Sequence, residues 1–71
     1  MKITIKEDMP FDTLYFNFDN KKSLIDFLQE KYIKYYNIEL EDIDGDFFSN
    51  LIKILEKINL KMWEGFLTII I

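Results

Sequence analysis

Residues 2–18 read KITIKEDMPFDTLYFNF, and two stretches within them alternate between apolar and polar side chains. The apolar residues fall on every second position, first at Ile3 and Ile5 and then at Leu14, Phe16 and Phe18. A period of two is typical of a half-buried β-strand. Pro10 cannot donate a hydrogen bond to a strand ladder. We therefore expect residues 7–10 to break the first strand, and a loop of about six residues to close a hairpin.

A helix is predicted to follow the hairpin. Asp19 or Asn20 can serve as its N-cap, and the helix begins near Lys21. Most of its apolar residues fall within one half of the helical wheel, as expected for an amphipathic helix packed on a core. Ile33 is the exception, because it falls among the polar residues. The helix is expected to end at residues 36–37.

A second amphipathic helix is predicted in the C-terminal half. Asp44 or Asp46 can cap its start. Gly65 suits the C′ position after its last turn, although Asn59 could end it one turn earlier. Leu60 is the apolar residue that falls on its polar face. After this helix, residues 66–71 form an uninterrupted apolar run, which predicts a strand covered on both sides or held in the sheet centre.

These elements predict an α+β fold in the order ββααβ. A single small three-stranded sheet would carry both amphipathic helices on one face, in one compact domain spanning residues 1–71. The opening hairpin followed by a helix resembles the start of the β-grasp (ubiquitin-like) fold. That resemblance implies that the last strand pairs beside the first in the middle of the sheet.

Composition excludes several classes of function. The 71 residues contain no cysteine, histidine or arginine, so the usual nucleophilic, general-base and zinc-binding side chains are missing. A net charge of −4 disfavours direct binding to nucleic acid or to an anionic membrane. We therefore expect a non-enzyme without cofactor or metal. With neither a signal-peptide pattern nor a membrane-spanning apolar run, a cytoplasmic location is expected, in the host cell if the protein is phage-encoded.

Five carboxylates crowd one short segment without any intervening basic residue: Glu39, Glu41, Asp42, Asp44 and Asp46. Three of them match positions three, five and seven of an EF-hand loop, but leucines occupy positions one and twelve, where ligands are required. Capping of the second helix accounts for the last two carboxylates. The first three remain unexplained by folding. The segment is therefore either an ordinary solvated loop or part of an interaction epitope.

Tyrosines form the next candidate feature. Tyr35 and Tyr36 come directly before the acidic segment, and Tyr32 and Tyr15 belong to the same predicted helix and hairpin. Packing at the core and its rim, with each hydroxyl in water, is one interpretation. The other is a contact surface, since tyrosine is enriched at binding hot spots.

The sequence favours a non-catalytic role. We expect a small acidic protein that binds and inhibits a basic, nucleic-acid-handling protein such as a nuclease, with the acidic segment acting as a nucleic-acid mimic and the tyrosines as anchors. Phage-encoded inhibitors such as anti-CRISPR proteins, nuclease immunity proteins and antitoxins are similar in size and charge. The alternative is a homo-oligomeric accessory protein, assembled as a dimer or higher oligomer through a free sheet edge or through Ile33 and Leu60.

Overall fold

The computed structural model describes residues 2–40 and 46–70, and its element order is the predicted ββααβ. A three-stranded antiparallel sheet carries two helices, the first of which continues into a π-helical segment. The elements are β1 (Ile3–Met9), β2 (Asp12–Phe18), α1 (Lys21–Leu28), the π-helical segment (Gln29–Ile33), α2 (Phe47–Lys61) and β3 (Phe66–Ile70).

The hairpin is tighter than its sequence predicts. β1 continues through residues 7–9, and Met9 pairs with Asp12, so only Pro10 and Phe11 form the turn. The expected break at residues 7–10 and the loop of about six residues are therefore wrong. Pro10 lies beyond the last residue of the strand, where its missing N–H costs the ladder nothing. Glu7 stays in the strand because a hydrogen bond satisfies its buried carboxylate.

The sheet has the order β2-β1-β3, so the last strand does pair beside the first. β1 occupies the centre, and β3 is an edge strand. The prediction that residues 66–71 form a central strand or one covered on both sides is wrong, although Ile71 lies outside the described residues. Leu67 and Ile69 face the helices, whereas Phe66 and Ile70 are exposed on the other face. The run over residues 66–70 is therefore apolar on both faces of the strand, and the apolar residues of the outer face, Phe66 and Ile70, are exposed.

The core lies between one face of the sheet and the two helices. Its buried hydrophobic side chains come from β1, β3, α1, the π-helical segment and α2: Ile3, Ile5, Leu24, Leu28, Tyr32, Leu51, Ile54, Leu55, Ile58 and Leu67. Three phenylalanines extend this core towards β2, with ring centroids 4.7 Å apart for Phe16 and Phe27 and 5.0 Å apart for Phe18 and Phe27.

A π-helical turn interrupts the first helix. Asn20 caps the start, where its Oδ1 accepts the backbone N–H of Ser23 at 2.8 Å. After Leu28 the helical hydrogen bond spans five residues instead of four, because the N–H of Lys34 donates to the carbonyl of Gln29. The wider turn rotates the residues that follow it. Ile33 is consequently half-buried against the core, so the prediction that it lies on the polar face is wrong.

The helical segment ends at Ile33 and residues 34–37 form a turn, so the prediction that the helix continues to residues 36–37 is wrong by about one turn. Asn37 has a positive φ of 53°, and its N–H donates to the carbonyl of Lys34. The N–H of Ile38 reaches back to the carbonyl of Ile33 at 2.9 Å. These two bonds form a Schellman motif, in which asparagine tolerates the left-handed position better than most residues.

The second helix begins after Asp46, as predicted, and ends at Lys61. Both expected ends, at Asn59 and before Gly65, are wrong. Asn59 stays inside the helix because its side chain binds the edge of β3: its Nδ2 donates to the carbonyl of Leu67 at 3.1 Å, and the N–H of Leu67 donates to its Oδ1 at 2.7 Å. This amide takes the place of a strand partner. Leu60 is 86% exposed, in agreement with its position on the polar face.

Candidate functional site at the hairpin end

A carboxylate is buried in the centre of the sheet. Glu7 is only 5% exposed, and it is the buried charged residue of the described core. On β1 it follows Ile3 and Ile5 on the face towards the helices, and its strand partners are Leu14 and Leu67. A charge in such a place requires partners, since burying an unpaired carboxylate is costly.

Two residues of the π-helical segment face this carboxylate. The hydroxyl of Tyr32 donates to Glu7 Oε2 at 2.5 Å, and Lys31 Nζ lies 3.9 Å from Glu7 Oε1. Burial raises the pKa of the Tyr32 hydroxyl, and the hydrogen bond to Glu7 raises it further. Tyr32 therefore keeps its proton and acts as a donor at neutral pH. The π-helical turn brings both side chains to the same carboxylate although they are adjacent in sequence.

The ammonium group of Lys31 also lies over aromatic rings. It is 4.4 Å from the ring centroid of Phe16, 5.5 Å from that of Phe27 and 5.7 Å from that of Tyr32. Cation–π attraction of this kind is strongest where the cation is partly desolvated. One side of Glu7 is thus already neutralised by a lysine of the same chain.

Two open clefts adjoin at this end of the molecule and share Glu7, Met9 and Tyr36. The tyrosine cleft, of about 480 Å³, is completed by Leu14, Lys31, Tyr32 and Tyr35. The tryptophan cleft, of about 260 Å³, is completed by Met62, Trp63, Glu64 and Gly65. Both lie where the hairpin turn, the end of the π-helical segment and the connection from α2 to β3 meet. We call this region the hairpin end.

Several large apolar side chains are exposed at the hairpin end. Trp63 is 94% exposed and Tyr35 76%, while Met9 and Leu14 are exposed by 46% and 37%. All four line the two clefts. Contiguous exposed apolar groups around a few polar ones are typical of a binding surface. Methionine and aromatic residues adapt well to a partner's surface.

Gly65 lines the tryptophan cleft close to Met62. A Cβ at this position would meet the Cε of Met62, the flexible end of that side chain, and would stand at ordinary contact distance, 3.7 Å, from the carbonyl oxygen of Asp8. Met62 itself is half-buried against the core. A small side chain at residue 65 would therefore require only that the end of Met62 moves aside.

The two tyrosines predicted as anchors both belong to the hairpin end. Tyr35 is exposed and lines the tyrosine cleft, whereas Tyr36 is half-buried and lines both clefts. Their rings meet edge to face with centroids 4.9 Å apart. Of the other two tyrosines, Tyr15 is exposed on the opposite face of the sheet, and Tyr32 directs its hydroxyl at Glu7 rather than at water.

The acidic residues are only partly described. Glu39 is exposed, and its backbone carbonyl accepts a hydrogen bond from Lys57 Nζ at 3.2 Å. Asp46 caps α2, where it accepts the N–H of Ser49 at 2.9 Å and its hydroxyl at 3.0 Å. These hydrogen bonds lower the pKa of Asp46. The other three predicted residues lie outside the described residues: Glu41, Asp42 and Asp44.

The tyrosines and Glu39 line different concavities. Glu39 lines one together with Lys57 and Lys61 of α2, whereas Tyr35 and Tyr36 line the clefts of the hairpin end. Asp46 is engaged by its capping bonds. The predicted epitope as a whole stays a prediction, because three of its residues lie outside the described residues.

Sequence reasoning missed the most informative residue of the site. Glu7 was assigned to a strand break, whereas the structure places it in phase with Ile3 and Ile5 on the buried face. The signal was available, because continuing the period of two past Lys6 brings a carboxylate to an apolar position. Lys31 was also missed, since its role depends on the π-helical turn.

A second surface has a different chemistry. An apolar groove of about 400 Å³ runs between α2 and the free edge of β3, and Ile52, Phe66 and Ile69 contribute to it. Glu56 is the charged residue among those that line it. The groove offers apolar contact but few groups that would select one partner over another.

Two further properties concern the described residues alone. No helix among residues 2–40 and 46–70 is long and apolar enough to cross a membrane. Within the same ranges, no group of three or more acidic side chains is placed to hold a metal ion.

Comparison with protein families, with curated proteins and with solved structures finds no match to this chain.

Proposed function

We propose that this protein is a non-catalytic binding protein that attaches to a basic partner protein through the hairpin end. One observation carries the proposal: four exposed apolar side chains line the two clefts that share the buried carboxylate of Glu7. They are Met9, Leu14, Tyr35 and Trp63. A fold has no need to leave Tyr35 and Trp63 this exposed beside a charge that is expensive to bury.

Charge supports a basic partner. The chain carries a net charge of −4, and carboxylates adjoin the aromatic residues both in the clefts and along the sequence after Tyr36. Complementary charge mainly speeds association and excludes wrong partners, while aromatic anchors supply most of the affinity. The hairpin end combines both kinds of group.

The functional class that fits is an inhibitor. A protein whose lysine- and arginine-lined site normally holds nucleic-acid phosphates would accept the acidic segment and lose access to its substrate. Phage-encoded anti-defence proteins, including anti-CRISPR proteins, nuclease immunity proteins and antitoxins are similar to this chain in size and charge. The proposed consequence of binding is therefore that the partner protein can no longer bind its nucleic-acid substrate.

Affinity capture from the source organism tests the proposal. The wild type and the charge-reversed E41K/D42K/D44K variant are immobilised side by side, and bound proteins are identified at about 0.05 M and 0.5 M salt. We expect a basic protein that the wild type retains at low salt and releases at high salt, because salt screens exposed charges. Equal retention of the same proteins by the charge-reversed variant, at both salt concentrations, would contradict the proposed function.

A homo-oligomeric accessory protein is the second candidate. The apolar groove beside the free edge of β3 favours it, since an exposed strand edge can pair with another copy. Asn59 already occupies the backbone groups of Leu67, which shortens the edge available for pairing. Size-exclusion chromatography with light scattering decides between the candidates: a stable oligomer that hides the hairpin end would contradict the inhibitor.

A further inference from the structure

The two sides of Glu7 differ in charge balance. In the tyrosine cleft, Lys31 lies 3.9 Å from Glu7 Oε1 and 4.4 Å from the ring centroid of Phe16. In the tryptophan cleft, Glu7 and Glu64 both line the wall, and none of the described residues there is basic. Glu64 also forms no ion pair with any side chain among residues 2–40 and 46–70.

The walls of the tryptophan cleft suit an extended cationic side chain. Tyr36 and Trp63 offer aromatic rings, while Met9 and Met62 offer flexible apolar surface. Aromatic faces attract ammonium and guanidinium groups, and apolar walls accept the methylene stem of such a side chain. The volume of about 260 Å³ is below the roughly 300–1,000 Å³ that is usual for small-molecule sites. The cleft is therefore of a size for one side chain.

We propose that the tryptophan cleft binds a single lysine or arginine side chain of the partner protein. The aliphatic stem lies between Tyr36 and Trp63, and the cation faces Glu7 at the floor and Glu64 at the rim. The environment that Lys31 occupies in the tyrosine cleft, between a carboxylate and aromatic rings, is thus repeated on the other side of Glu7 with a cation from outside. This inference rests on the proposed function, because it names the chemistry of the partner's anchor.

The fluorescence of Trp63 reports directly on this cleft, since the chain has one tryptophan. The probe is the peptide acetyl-Gly-Lys-Gly-amide, with the arginine peptide and the neutral Nε-acetyl-lysine peptide measured in parallel. We expect a saturable change in emission with the two cationic peptides, in the millimolar range for so small a ligand, and none with the neutral one.

Matched variants locate the cation. Glu64→Gln should weaken the response to the lysine peptide about threefold or more, whereas Glu56→Gln, which makes the same change of net charge in the apolar groove, should leave it within error. Glu7→Gln keeps an acceptor for Tyr32 and should weaken the response as well. An equal response to the neutral peptide, or equal effects of the Glu64 and Glu56 variants, would overturn the assignment.

The outcomes separate this inference from the proposed function. Lack of saturable binding by either cationic peptide overturns the cleft assignment, even if affinity capture still finds a basic partner that depends on the acidic segment. Capture that is insensitive to salt and to charge reversal contradicts the proposed function, even if the peptides bind beside Trp63.

Discussion

The two ends of the sheet's inner face have the same strand pattern but different coverage. Along β1, Ile3 and Ile5 are 1% and 0% exposed beneath the helices, whereas Glu7 is 5% exposed and Met9 46% exposed at the hairpin end. The helices seal the first two positions with aliphatic side chains. At the other two positions, Tyr32 covers the carboxylate of Glu7, and Met9 is left exposed.

This difference separates residues that hold the fold together from residues that the fold leaves exposed. The sealed end gains its stability from apolar area removed from water. The hairpin end retains a buried charge, which is rarely the most stable solution, since apolar residues of similar volume often replace buried ion pairs without loss.

The largest expected effect is at the sealed end. Ile5→Ala should lower the free energy of unfolding by about 2–5 kcal/mol, because it leaves a cavity under both helices. Met9→Ala, on the same strand and face, should cost below about 1 kcal/mol, since its side chain is already half in water. Urea denaturation of both variants measures the contrast, and similar costs would show that the hairpin end is packed as tightly as the core.

Replacing the buried carboxylate should lower the free energy of unfolding by less than Ile5→Ala does. A second substitution, at Tyr32, should restore most of the lost stability. Glu7→Leu leaves the Tyr32 hydroxyl without its acceptor, so we expect a loss of about 1–3 kcal/mol. The double variant Glu7→Leu/Tyr32→Phe removes both polar groups and should regain most of that loss. Thermal denaturation of the single and double variants makes the measurement. A double variant as unstable as the single one would mean that Glu7 is retained for the fold itself.

Alkaline pH should affect the hairpin end through Tyr32. The folded state raises the pKa of this hydroxyl above its ordinary value, so its contribution to stability is complete below about pH 10. Above that pH the unfolded chain loses the proton first, and stability falls. Wild-type stability should decline more steeply than that of Tyr32→Phe from about pH 10 to pH 11.5. Tyr15→Phe is the matched control and should behave like the wild type.

The smallest effect concerns the β3 edge. Asn59→Ala removes the two hydrogen bonds to the backbone of Leu67 and should cost about 1 kcal/mol. The amide of Leu67 should exchange with solvent faster, since its acceptor is lost. Leu60→Ala, the next residue of α2 and exposed, serves as the control. Unchanged exchange at Leu67 in the Asn59 variant would show that this amide is protected by something other than the side chain.

Periodicity predicted the element types and order because alternation and the helical repeat report directly on which faces are buried. Short polar side chains before each amphipathic run predicted a cap at Asp19 or Asn20 and another at Asp44 or Asp46, and the structure has Asn20 and Asp46 in these positions. Periodicity failed at the hairpin because Glu7 and Pro10 were read as strand breakers. A tertiary hydrogen bond from Tyr32 keeps the first in the strand, and the turn accommodates the second.

Other features depend on contacts between distant residues. The π-helical turn changes the face on which Ile33 lies, and the helical period of the sequence does not reveal it. The position of β3 at the edge follows from β1 pairing on both sides, which local pattern does not specify. For the proposed site, the sequence pattern singled out Tyr35 and Tyr36 as candidates, but it linked them to the acidic segment, whereas in the structure they line clefts that they share with Glu7.

Calorimetric titration of the captured partner tests the central claim most directly, which is that binding occurs at the hairpin end. Two variants are compared, each of which truncates two exposed residues: Tyr35→Ala/Trp63→Ala at the hairpin end and Tyr15→Ala/Leu60→Ala elsewhere. Loss of the aromatic anchors should weaken the binding free energy of the Tyr35→Ala/Trp63→Ala variant by about 2 kcal/mol or more. The Tyr15→Ala/Leu60→Ala variant should bind with a Kd within about threefold of the wild-type value. Equal affinities, or the larger loss in the second variant, would contradict the account.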